Sequence, residues 1–156
     1  MAQDLLLIKR RGKRRDSMRK VLCFSHGWLA KGMVDTVKMI AGDFPNLDYY
    51  CAYTREHEDV EKEIDQIIQA NQDNELFVVS DIFGGSVNNE WMKRINKGEN
   101  IHLISGMNLA FLIDLLVQLS NEEADSQTAI VQAMASANEG FTYCNQLQLN
   151  MTEDEF

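Results

Sequence analysis

The chain has 156 residues, of which 45% are apolar and 25% charged, and this favours one domain around a single core. Its net charge of −9 is unevenly spread: residues 1–20 hold eight Lys/Arg and two Asp/Glu, a net +6, while residues 21–156 hold seven and twenty-two, a net −15. An acidic body of that kind excludes nucleic acid as its main partner and suits a basic protein surface; the longest apolar stretch, 109–119, contains Asp114 and is too short to span a bilayer.

Residues 1–17 open the chain with a basic run at 9–15. Its two readings are a nucleic-acid or membrane-surface arm and a disordered leader outside the working domain, and we expect the leader. The apolar piece at 5–8 precedes the basic run and lacks signal-peptide form, and Met18 stands as a natural start just before the first strand. From Lys20 onward, strand-like and helix-like segments alternate. Residues 20–24 form a buried strand, and 29–41 a helix that Gly42 and Pro45 stop. Residues 47–53 form an aromatic-rich strand, and 60–70 an amphipathic helix with Val60, Ile64, Ile67 and Ile68 on one face. A third strand covers 76–80, a loop 81–86 and a helix 87–96, followed by a turn at Lys97-Gly98 and a fourth strand at 101–105. The tight loop Gly106-Met107-Asn108 leads to an apolar helix at 109–119 and another at 121–137, started by Ser120 or Asn121. Residues 141–149 alternate loosely and suit a last edge strand, and 150–156 form an acidic, frayed tail. The domain is thus expected over 18–149, as an α/β fold with an open, mostly parallel sheet and helices on both faces.

Ligands of such sheets lie beyond the carboxyl ends of the strands, where the strand order reverses. Two chemically suggestive residues fall at strand ends. His26 ends the first strand in Ser25-His26-Gly27-Trp28, and Asp81 ends the third, ahead of Gly84-Gly85-Ser86. A carboxylate bonded to one ring nitrogen fixes the tautomer and frees the other nitrogen to attack, so the pair suits a histidine that receives and releases a phosphoryl group. Gly84, Gly85 and Gly27 let backbone N–H groups approach an anion, and Ser86 either caps the following helix or donates to a phosphate. Trp28 and Phe83 are either exposed aromatics offered to a partner or core residues. His57 lies in a polar loop and His102 inside a strand, and both are expected to be structural. Cys23, Cys51 and Cys144 form no C-x-x-C pair and are expected as reduced thiols. No metal site is expected around His26, since no second His or Cys falls at ligand spacing.

Three motifs together carry a resemblance over residues 20–140: Ser25-His26-Gly27-Trp28, the run from Asp81 through Gly84-Gly85-Ser86 to Asn88, and Gly106-Met107-Asn108-Leu109. In them the chain resembles the EIIA domain of the mannose family of the bacterial sugar phosphotransferase system (PTS). The resemblance implies a cytoplasmic phosphotransferase that needs no cofactor. It implies that His26 takes a phosphoryl group from the phosphocarrier HPr and passes it to an EIIB protein, here a separate chain, with Asp81 as imidazole partner and Ser86 as phosphate contact. The membrane is reached only through the transport complex. The resemblance also implies sheet order 2-1-3-4 and an antiparallel edge strand that helps make a homodimer. Val87 stands where the family commonly has proline. The phosphocarrier subunit of dihydroxyacetone kinase shares the fold and ranks second. A non-enzymatic regulatory module and a small-molecule binder are the rivals from other classes.

Overall fold

The computed structural model describes residues 17–95 and 100–147; the basic run, the expected Lys97-Gly98 turn and the acidic tail fall outside them. Two units divide the chain, 1–107 and 108–156. The first contains β1 (Arg19–His26), α1 (Leu29–Ala41), β2 (Leu47–Ala52), α2 (Val60–Ala70), β3 (Glu75–Ser80), α3 (Ser86–Met92) and β4 (Ile101–Ser105). The strands form one sheet of order β2-β1-β3-β4, with every neighbouring pair parallel. The chain moves from β1 outward to β2, then returns past β1 to β3. Right-handed crossovers of opposite direction place α1 on one face and α2 on the other.

Side chains of β1 and β3 alternate between the two faces of the sheet, and both faces are buried. Leu22, Phe24, Leu76 and Val78 join Val60, Ile64, Val87 and Trp91 in one cluster beneath α2 and α3. Val21, Cys23, Phe77 and Val79 point to the opposite face and are equally buried. There α1 packs on β1 and β2 and buries Ala30 and Val37. Burial pushes the Cys23 thiol up to about 12, so it behaves as a small apolar residue. Trp91 packs edge-on against Phe24 at 5.6 Å, and Phe24 stacks on Tyr50 at 4.5 Å. The Trp91 Nε1 is buried with no hydrogen-bond partner among the described residues. Trp91→Ala is expected to cost about 3–5 kcal/mol in urea unfolding. Trp91→Phe keeps a ring against Phe24 and deletes the orphaned N–H, so its cost is expected to be less than roughly half as large. Equal losses in the two variants would show that ring packing does not hold this core.

The helix after β3 is shorter than its apolar pattern predicts, ending at Met92 rather than near residue 96. Arg94 accounts for the break. Its buried guanidinium donates to Asp65 at 2.6 Å, and to the Glu90 carboxylate and carbonyl at 2.9 Å each. This fastens the end of α3 to α2.

The second unit holds α4 (Leu109–Leu119) and α5 (Ser126–Glu139), which pack on each other. Leu112, Leu115, Leu116 and Leu119 of α4 are buried, as their helical spacing requires. The second helix starts at Ser126 and not at 121, because the competing caps are used otherwise. Ser120 Oγ donates back to Leu116 O at 2.9 Å, Asn121 accepts from Glu123 N–H, and Asp125 accepts from Thr128 N–H as the true N-cap. The edge strand expected over 141–149 is not seen in its described part: 141–147 contain a short 3-10 turn (Cys144–Gln146), with Phe141 and Tyr143 exposed. The last two positions of that expectation, 148–149, fall outside the described residues.

Candidate functional site

β1 ends on His26, and Asp81 follows the last residue of β3. The two strands are parallel neighbours with Phe24 opposite Ser80, so both side chains emerge at the carboxyl edge of the sheet. The edge is also where strand order reverses, since the chain leaves β1 toward β2 and β3 toward β4. His26 Nδ1 lies 2.7 Å from Asp81 Oδ2, and the His26 backbone N–H donates to the same oxygen at 2.9 Å. Asp81 Oδ1 accepts from Ile82 N–H at 3.0 Å. Burial alone would raise the Asp81 pKa; the backbone N–H, the imidazole hydrogen bond and the His26 charge together outweigh it and hold the carboxyl below its ordinary value. A carboxylate only accepts, so Nδ1 carries the ring proton and the Nε2 lone pair points away from Asp81. The imidazole side chain is 40% exposed against 10% for the carboxylate, so the carboxylate is sheltered and the ring meets solvent.

Residues around the pair fix its geometry. The buried Ser25 hydroxyl accepts from Ala30 N–H at 2.7 Å and so ties the end of β1 to the start of α1. Gly27 has φ +55°, which its lack of a Cβ allows. Its N–H donates to Ala52 O at 2.9 Å, which extends the β1–β2 ladder by one bond. Gly85 leaves little room for a side chain: an added Cβ would come within 2.8 Å of Ile82 Cγ2 and 3.3 Å of His26 Cε1. At the other ring nitrogen, Ser86 Oγ lies 2.9 Å from Nε2, and the Tyr53 hydroxyl donates to that Oγ at 3.1 Å. The Tyr53 ring also covers the imidazole, with centroids 5.5 Å apart.

His26, Asp81 and Ser86 thus converge as their positions at strand ends and loop predict. Two of the glycines need a correction. The N–H groups of Gly27 and Gly85 are not free for an anion, because they are spent on Ala52 O and on Ile82 O at 3.3 Å. Gly84 has φ +78°, and its carbonyl accepts from Asn89 Nδ2 at 3.0 Å. These glycines shape the turns and admit the ring. The hydroxyls of Ser86 and Tyr53 are the polar groups that the described residues bring to Nε2. Trp28 and Phe83 are both exposed, at 66% and 80%, which removes the core-packing alternative for each. His102 stacks on Phe77 at 4.7 Å and bonds to Glu75 at 3.0 Å, a structural histidine within the sheet. Tyr53 is the site residue that sequence reasoning misses. A strand pattern that runs through residue 53 gives no sign that the chain turns there.

An open parallel sheet with an imidazole–carboxylate pair at its switch point defines a doubly wound α/β domain whose working edge is the carboxyl edge. The model of one family, the PTS fructose IIA component (EIIA-man), matches residues 20–133. The chain belongs to this family, the mannose-family IIA components of the sugar phosphotransferase system. It is similar over 86% of its length, at 35% identity and TM-score 0.78, to a Klebsiella pneumoniae protein described as a phosphoenolpyruvate-dependent sugar PTS permease, 96% of which is covered. Two further solved structures share the fold. One is EIIA from Streptococcus agalactiae (19% identity, TM-score 0.71, covering 83% of this chain and 98% of that one). The other is the mannose/sorbose-specific IIA subunit from Enterococcus faecalis (17%, 0.70, 87% and 98%). None of the curated proteins matches the chain significantly. The fold and family expected from the three motifs are therefore found, and the chain is a phosphotransferase component of sugar transport. Among the described residues no helix is long and apolar enough to cross a membrane.

Proposed function

We propose that this IIA component accepts a phosphoryl group from phospho-HPr on Nε2 of His26 and hands it to a histidine of a separate EIIB protein. The observation that carries the reading is the 2.7 Å contact of Nδ1 with Asp81 on a ring that is 40% exposed, which turns Nε2 away from the carboxylate and toward the Ser86 hydroxyl. In the transfer, the Nε2 lone pair attacks phosphorus in line. The P–N bond of the donor phosphohistidine breaks, and its electron pair returns to the donor ring, so one imidazole is exchanged for another. Asp81 stabilises the imidazolium character of the phosphorylated ring, while Ser86 donates to a phosphoryl oxygen. Trp28 and Phe83, together with Ile82 at 59% exposure, form an apolar rim suited to a protein partner. The net −15 of residues 21–156 favours encounter with a basic surface. Action in the cytoplasm and as a homodimer belongs to the same reading.

Incubation with phosphoenolpyruvate, Enzyme I and HPr, followed by mass spectrometry at a pH that preserves phosphohistidine, tests the reading. It expects one phosphoryl group, mapped to His26. An unmodified chain would instead favour a regulatory module that keeps the fold without transfer. A graded perturbation is available at Gly85. Gly85→Ala pushes on Ile82, at Cγ2 (2.8 Å) and at its carbonyl oxygen (3.3 Å), and on the imidazole Cε1 (3.3 Å), so the loop and the ring must give way to each other. The expected result is a transfer rate lower by roughly tenfold with the fold retained; an unchanged rate would mean that the ring position does not limit transfer.

A further inference from the structure

Tyr53 stands in an unusual backbone conformation. Its φ is +62°, a left-handed value that side chains other than glycine adopt at a cost and keep only where the surroundings enforce it. The enforcing group is Glu58. Its carboxylate, whose side chain is 3% exposed, accepts the Tyr53 backbone N–H and the Tyr50 hydroxyl, and Arg55 lies 3.4 Å from it. Tyr50 in turn stacks on the core residue Phe24, so the anchor is continuous with the packed interior. The strand register places Ala52 opposite His26, and Tyr53 is the next residue. The turn therefore brings its ring over the imidazole and its hydroxyl to Ser86.

The hydrogen bonds run in one direction. In the neutral ring Asp81 accepts from Nδ1–H and Nε2 accepts the Ser86 hydroxyl proton, while Ser86 Oγ accepts from the Tyr53 hydroxyl. The lone pair that accepts from Ser86 is the one that must bond phosphorus. The 2.9 Å contact must therefore break before transfer, with the hydroxyl swinging aside about its Cα–Cβ bond.

We infer that Tyr53 is a positioning residue that sets the Ser86 hydroxyl against Nε2 in the unphosphorylated protein and guides it to a phosphoryl oxygen when Nε2 bonds phosphorus. The inference rests on the phosphotransfer reading and deepens it. Glu58 acts one step further out by holding the Tyr53 turn.

Tyr53→Phe keeps the ring over His26 and removes only the hydroxyl. In single-turnover transfer from phospho-HPr, the maximal rate is expected to fall about fivefold while half-saturation by phospho-HPr stays within about twofold of wild type. Glu58→Gln, which weakens the anchor and retains the ring and the hydroxyl, is expected to lower the rate in the same sense. Imidazole ¹⁵N NMR of the unphosphorylated proteins supplies a reading that needs no transfer. The Nε2 resonance of His26 is expected to shift in Tyr53→Phe as the Ser86 hydrogen bond loosens, with Nδ1 unmoved. An unshifted Nε2 resonance overturns the inference, as does a Tyr53→Phe effect on half-saturation alone. A wild-type chain that is not labelled, but shows the Nε2 shift on mutation, sinks the phosphotransfer reading and leaves the grip of Tyr53 on Ser86 standing.

Discussion

His26→Ala is expected to take up no phosphoryl group from phosphoenolpyruvate through Enzyme I and HPr, under conditions that fully label the wild-type chain. Deleting the nucleophile removes the covalent route itself, so the loss should be on the order of 10⁴-fold or more. The remaining groups of the site do not substitute for it. Tyr53 and Ser86 offer hydroxyls without an adjacent base once the imidazole is gone, and Asp81 is sheltered at 10% side-chain exposure. His102 is held by Glu75 and stacked on Phe77 inside the sheet. The substitution removes a part-exposed ring and leaves the core cluster intact, so the melting temperature should change little. Thermal unfolding of the same sample then separates loss of chemistry from loss of structure. A folded alanine variant that is labelled as fast as wild type would end the assignment of His26.

Where a signal was periodic, it could be read. The helices at 29–41, 60–70 and 109–119 and the strand at 101–105 have the bounds that apolar spacing predicts, because each buries one face and little else competes for its ends. The misses share a cause of another kind. At α5, Ser120, Asn121 and Asp125 are all competent caps, and only side-chain hydrogen bonds decide among them. At α3, an apolar stripe continues past Met92, but Arg94 folds back onto Asp65 and Glu90 and the helix ends. Neither outcome is encoded in periodicity.

The site divides in the same way. His26 and Asp81 were legible because a parallel sheet brings every strand end to one edge; that β1 and β3 are neighbours was implied by the family resemblance and not by the residue pattern, and the sheet order agrees with it. Gly27 and Gly85 were legible as turns and not as spent donors, since whether an N–H is free depends on which carbonyl lies opposite, and Ala52 and Ile82 supply those carbonyls. Tyr53 was hidden because its role depends on one left-handed residue, and the anchor that enforces it, Glu58, lies in a loop that reads as generic polar sequence.

Asp81→Asn is expected to slow phosphorylation of His26 by roughly 10²–10⁴-fold without abolishing it. The carboxylate accepts from both the His26 backbone N–H and Nδ1–H, and its negative charge favours the proton on Nδ1. In an asparagine of the same shape the NH₂ must meet a backbone donor, either Ile82 N–H or the His26 N–H beside Nδ1, where it would also move the ring proton to Nε2, so the hold on Nδ1–H weakens in either orientation. The charge that stabilises the phosphorylated ring is lost as well, so phosphohistidine in the variant should also hydrolyse faster. Rapid-quench transfer from phospho-HPr measures the first effect and decay of the isolated phosphoprotein the second. A rate within about threefold of wild type would exclude Asp81 as the group that sets the tautomer. Stability supplies an independent check with a definite sign. The folded Asp81 pKa is depressed, so its contribution is present above the unfolded value, and is lost as pH falls below about 5 and through the lower folded value. The wild-type advantage over Asp81→Asn in urea unfolding should therefore be full at neutral pH and shrink on acidification. An advantage that grew toward acid pH would mean that the carboxyl is held protonated, with no charge to offer the imidazole.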